Sequence, residues 1–240
     1  MDAVIQVRGL TKSYGGKVAL DHLDLSVPLG QVFGLLGANG AGKSTTIECI
    51  LGTRRADGGS VSILGMDPRR QRAQLFQRVG VQFQESSYQR EIKVRELCEE
   101  TSCLYRAPAD WRELARQFGL EGKENQAVKD LSGGERQRLF IVLALIPNPQ
   151  AVFLDELTTG LDAKARRDVW KLLSGLKAKG LTILLTSHFM DEVEALCDTI
   201  CILKQGKAVF TGTVTEAVAG SPCQTLEDAY LWYSGEEAAV

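Results

Sequence analysis

The run Gly37-Ala-Asn39-Gly40-Ala-Gly42-Lys43-Ser44-Thr45 follows directly on the apolar stretch Val32 to Leu36. It is a full match to G-x-x-x-x-G-K-[ST] in the strand-loop-helix setting that the pattern requires. Glycines at 37, 40 and 42 let the backbone turn tightly and aim its N–H groups at one point, and the helix that follows adds the positive end of its dipole. Such a cradle takes a polyphosphate. Lys43 then sits between the outer phosphates as a point charge, while the Ser44 hydroxyl ligates Mg2+, which prefers oxygen ligands and retains several waters. Asn39 and Thr45 belong to the same loop and are read as nucleotide-binding with it.

This loop commits the chain to an α/β fold with a mostly parallel sheet, and the rest of the pattern agrees. Short aliphatic runs at Val32 to Leu36, Val79 to Phe83, Ala151 to Leu154, Leu181 to Ser187 and Thr199 to Leu203 alternate with longer helical patterns. Several are continuous apolar runs, as doubly buried strands require. Ala3 to Leu10, Leu23 to Val27 and Ser60 to Leu64 read as strands without helices between neighbours, which predicts an antiparallel β layer at one edge. Val94 to Tyr105, Trp111 to Phe118 and Glu135 to Ile146 read as helices with no strand between them, a helical subdomain over about 85–146. The tail 220–240 is expected to fray.

A second set of acids completes the chemistry. Ala151-Val-Phe-Leu-Asp155-Glu156 places two carboxylates at the end of an apolar strand, where Asp155 orients the waters of Mg2+ and Glu156 polarises an attacking water. Leu131-Ser132-Gly133-Gly134-Glu135 opens a helix with a capping box, Ser132 to Glu135, and its paired glycines expose N–H groups to a further anion. The LSGGE run together with the two preceding motifs resembles the nucleotide-binding subunits of ABC transporters, over nearly the whole chain.

That resemblance implies roles for further positions. Gln84 resembles the Q-loop glutamine that touches Mg2+ and the attacking water. His188 resembles the H-loop histidine that contacts the γ-phosphate. Gly160-Leu161-Asp162 resembles the D-loop that crosses the dimer seam, and Tyr14 the aromatic that stacks on adenine. Leu157 departs from the family, which mostly has proline after the glutamate of this motif. The implied fold is a P-loop NTPase core (about 1–84 and 147–219) within one ABC ATPase domain over 1–219. The implied cofactors are ATP and Mg2+, bound between two copies of the chain or between this chain and a different ATPase subunit.

The expected activity is ATP hydrolysis that drives transport through separate transmembrane permease subunits, with the chain peripheral at the cytoplasmic face of the membrane. Membrane docking is expected just after Gln84, in the polar stretch Glu85 to Val94. The wording Val32-Phe-Gly-Leu-Leu-Gly37 and Thr186-Ser-His188-Phe-Met-Asp-Glu192 is closest to the drug and antibiotic-resistance exporters. A soluble ABC ATPase of an assembly machine, such as iron–sulfur cluster biogenesis, is the competing reading.

Composition sets the outer limits. With 28 Lys+Arg against 30 Asp+Glu, a formal charge of −2 and 44% hydrophobic residues, the chain is neither a disordered nor a generally basic nucleic-acid-binding sequence. Its longest apolar run, Leu139 to Ile146, falls far short of a membrane span. Met1 to Gly9 shows no secretory signal. The six cysteines form no C-x-x-C pair and are read as reduced thiols.

Overall fold

The computed structural model describes residues 3–82, 88–89, 91–156, 158 and 160–235. In chain order its elements are β1 (Ala3–Tyr14), β2 (Lys17–Pro28), β3 (Val32–Gly37), α1 (Lys43–Ile50), β4 (Gly58–Ile63), α2 (Arg72–Leu75), β5 (Val79–Gln82), α3 (Val94–Cys103) and α4 (Trp111–Gln117). A 3-10 turn (Val128–Asp130) precedes α5 (Gly133–Leu145), β6 (Ala151–Asp155), α6 (Ala163–Ala178), β7 (Thr182–Thr186), α7 (Met190–Leu196), β8 (Thr199–Lys204), β9 (Lys207–Gly212), α8 (Val214–Ala219) and α9 (Leu226–Ser234).

The larger sheet has the order β5-β6-β7-β3-β8-β9. Its strands run parallel except β9, which pairs antiparallel with β8. Strands β3, β6 and β7 are buried along their whole length, which is why they read as unbroken apolar runs. Alternate residues point to opposite faces. Val32, Val152, Leu154 and Ile183 pack with Leu139, Val142, Val169 and Leu173 on one side. Phe33, Leu35, Phe153 and Leu184 pack on the other side with Ile47, Ile50 and the inward residues of β1 and β2.

The antiparallel layer is a separate sheet of order β2-β1-β4. Tyr14 pairs with Lys17 across the two-residue turn Gly15-Gly16, and both glycines adopt positive φ. That turn geometry suits the right-handed twist of a hairpin and favours glycine. β1 continues past the predicted Leu10 to Tyr14, which places the tyrosine at the hairpin tip.

Two further features depart from the sequence expectations. The edge strand β9 is mostly exposed and lacks the apolar signature of its neighbours. The tail does not fray through residue 235: α9 is capped by Thr225, whose side chain accepts from Asp228 N, and it buries Leu226 and Ala229. Together with α8 it covers Leu36, Val193, Ile200 and Ile202, forming a third apolar cluster.

Candidate functional site

β3 occupies the middle of the sheet, between β7 and β8, and releases the chain at Gly37. In open α/β sheets the crevice beyond the carboxyl ends of the strands is where ligands bind. Gly42 is the N-cap of α1 at φ 112° and offers the first turn no side-chain acceptor. A Cβ at Gly42 would stand 2.8 Å from Ala19 O, so only glycine allows β2 to lie this close to the loop.

Gly37, Asn39, Gly40, Gly42, Lys43, Ser44 and Thr45 line one cleft of about 770 Å³, and Glu156 and His188 line it with them. Lys43 is buried at its floor. Its Nζ donates to Gly37 O at 2.5 Å and to Ala38 O at 3.2 Å, so the ammonium is held by the loop's own carbonyls. Burial pushes the Lys43 pKa down, and the charges of Glu156 and Asp155 act in the opposite sense. Ser44 is exposed.

The acids arrive from β6. Asp155 pairs in register with Thr186 of β7, and the fully buried Thr186 hydroxyl donates to Asp155 Oδ1 at 2.5 Å. The same Thr186 oxygen accepts from Glu156 N at 2.9 Å. Gln82 Nε2 donates to Asp155 O at 3.3 Å, so β5 supports the strand end from the other side. Glu156 sits at φ 52°, in the left-handed region that L side chains rarely adopt. Chain strain of this kind concentrates at functional sites. His188 Nδ1 lies 4.0 Å from Glu156 Oε1, and its ring packs on Phe189 at 4.2 Å between centroids.

Other predicted residues stand elsewhere. Ser132, Gly133 and Gly134 open α5 and are absent from the cleft lining. Ser132 Oγ accepts from Glu135 N at 3.2 Å, and Glu135 Oε2 accepts from Ser132 N at 2.9 Å, which is the expected capping box. Lys123 Nζ lies 2.9 Å from the Glu135 carboxylate. That contact first, and then the Ser132 N–H, hold the Glu135 carboxyl at about 2. Asp162 caps α6, accepting from Ala165 N at 2.8 Å. Tyr14 is also absent from the lining; Lys12 Nζ and Arg54 Cζ each lie 5.3 Å from its ring centroid. Gln84 and Leu157 lie outside the described residues, as do residues 85–87 and 90 of the expected docking loop.

The cleft also contains a residue that sequence reasoning missed. Tyr230 of α9 forms part of its wall, far along the chain from the loop. A signal existed: Leu226, Ala229, Tyr230 and Tyr233 recur at helical spacing between the capping residue Thr225 and Gly235. Ala19, from β2, is the other unpredicted element of the wall.

A doubly covered parallel sheet, a phosphate loop at its centre, paired acids on the next strand but one and a separate antiparallel layer define an ATP-binding cassette. The ABC transporter family pattern matches residues 20–159, and the chain belongs to that family. The Nod factor export ATP-binding protein I of Sinorhizobium fredii is 41% identical over 220 residues, covering 88% of this chain and 63% of the relative. The protein of the same name from Cupriavidus metallidurans is 40% identical over 237 residues, covering 91% and 74%. The chain thus spans about two thirds of the length of these curated relatives. Among solved structures, an ATP-binding subunit of an ABC transporter matches with TM-score 0.88 and 27% identity over 96% of this chain and 99% of that one. A nucleotide-free ATP-binding cassette from an ABC transporter shares the fold, with TM-score 0.82 and 24% identity over 92% and 96%.

Proposed function

We propose that this chain is the ATP-hydrolysing subunit of an exporter whose transport path is formed by separate membrane subunits. The observation that carries the reading is the single cleft that unites the phosphate loop, Lys43, Glu156 and His188. The exporter names of the relatives favour it over a soluble assembly ATPase. Among the described residues no helix is long and apolar enough to cross a membrane, which fits a subunit held at the cytoplasmic face by its partners.

In this reading the loop amides and Lys43 hold the outer phosphates of ATP, and Tyr14 stacks on the base. Ser44 and Asp155 are oxygen donors of the kind Mg2+ favours, with Gln84 as a further ligand, and the ion when bound offsets charge on the phosphates. Glu156 accepts a hydrogen bond from the attacking water, aligning it with the γ-phosphorus, and takes its proton as the water oxygen bonds to phosphorus. The new P–O bond forms as the bond to the β–γ bridging oxygen breaks, leaving ADP and phosphate. His188, beside Glu156, donates to the γ-phosphate oxygens. Ser132, Gly133 and Gly134 of a second copy complete the site from across the seam, with Asp162 at that seam. Residues 86–93 meet the membrane partner.

Lys43→Ala should weaken Mg·ATP binding, measured by calorimetry on the purified chain. Glu156→Gln should retain binding and lose turnover by about 10² to 10⁴, the usual contribution of a positioned acid–base group. Undiminished affinity in the first variant, or parental turnover in the second, removes the corresponding role.

A further inference from the structure

Behind the cleft lies a carboxylate with no part in the chemistry above. Glu192 of α7 is fully buried, four residues beyond His188. Its Oε1 accepts from Trp170 Nε1 of α6 at 3.1 Å. Burial pushes the Glu192 pKa up, and the neighbouring Ser187, Thr158 and Trp170 side chains draw it down. Among the described residues Glu192 Oε2 and Thr158 Oγ1 are buried without a hydrogen-bond partner. The Ser187 hydroxyl is engaged locally, accepting from Phe189 N at 3.0 Å and donating to Phe189 O at 3.4 Å.

The position of these three neighbours gives the contact its meaning. Thr158 stands two residues after Glu156, on the way to Asp162. Ser187 is adjacent to His188. Trp170 belongs to the helix that Asp162 caps. A buried carboxylate carries a desolvation cost that an apolar side chain of similar volume does not. What it offers in return is a directed hydrogen bond from Trp170 of α6 to the helix that follows His188.

We infer that Glu192 is a positioning residue, which ties α6, the helix that Asp162 caps, to α7, the helix that follows His188, so that the segments carrying Glu156 and His188 reach the cleft in fixed relation. The inference rests on the function proposed above and deepens it. Without the lock, nucleotide still binds to the phosphate loop, but Glu156 and His188 no longer hold their mutual geometry.

The test uses two near-isosteric variants of the whole chain, Glu192→Gln and Trp170→Phe, the second guarding against misfolding of the first. Two readouts are taken: steady-state hydrolysis of Mg·ATP, and amide hydrogen exchange without turnover. Turnover should fall about tenfold or more, since small displacements of catalytic groups cost on the order of 10² in rate. KM should stay within about twofold, because the loss falls on the transition state and not on uniform binding. Amides at Thr158, Leu161 and His188 should exchange faster together, while those of residues 38–42 keep parental rates. Parental turnover with parental exchange overturns the inference, as does faster exchange confined to one of the two segments. A parental protein that hydrolyses no ATP defeats the proposed function instead, and the exchange measurement still decides the role of Glu192.

Discussion

Thr186 shows how much of the site depends on one hydroxyl. It donates to Asp155 Oδ1 and accepts from Glu156 N, so it fixes the direction of one acid and the backbone of the next. The sequence displays both acids openly, but Thr186 reads there as an ordinary residue ending an apolar strand. Only the parallel pairing of β6 with β7 sets it opposite Asp155. Thr186→Val should leave two buried partners unsatisfied and destabilise the fold by about 1 to 3 kcal/mol. Thr186→Ser should recover most of the loss. Urea unfolding midpoints and ATP turnover of both variants check this, and a valine variant with parental values in both assays sinks it.

Among the elements, α5 was the easiest to foresee and α9 the hardest. The Ser132-to-Glu135 capping box announces the start of α5, and its buried residues Leu139, Ile141 and Val142 fill the core beneath. Its close approach to β5 has a subtler mark: a Cβ on Gly80 would lie 1.8 Å from Ala144 O, so glycine is what lets helix and strand meet there. Helix α9 follows a glycine and a proline and ends near the terminus, cues that favour a loose tail; its burial depends on the apolar faces of β8 and α7, which lie remote in sequence. The α5 cap also gives stability a pH dependence. Glu135 titrates at about 2 in the folded chain against an ordinary 4.5, so its folded pKa is depressed. Its contribution is complete above about pH 4.5 and is lost as pH falls toward 2. Glu135→Gln should therefore lower the melting temperature at pH 7 and converge with the parental protein near pH 2 to 3. Parallel melting curves across that range contradict the assignment.

For the whole molecule, the central fact is that the signature residues are absent from the cleft built by the same chain. Ser132 to Gly134 begin a helix near Leu161, where a Cβ on Gly134 would lie 3.3 Å from Leu161 Cδ2, while the phosphate loop opens on a cleft lined by other residues. One chain carries one of each, so the site proposed above is completed only by a second ATPase chain, which in a homodimer means a two-fold, self-complementary arrangement. Purified Glu156→Gln, held with Mg·ATP, should sediment at twice the mass of the nucleotide-free chain. A single monomer boundary with nucleotide bound rules out the homodimer and leaves pairing with a different ATPase subunit.

The sequence by itself determined the phosphate loop, the paired acids, the class of sheet and the separate antiparallel layer. Each of these is local, written in a fixed spacing or a continuous apolar run. Tertiary structure alone decided that His188 faces Glu156, that Thr186 steadies both acids, that Glu192 sits behind them and that Tyr230 reaches the cleft. Those relations join segments distant in the chain, and they follow from which strands lie side by side, an order fixed by packing across the whole sheet and unmarked by any single stretch of residues.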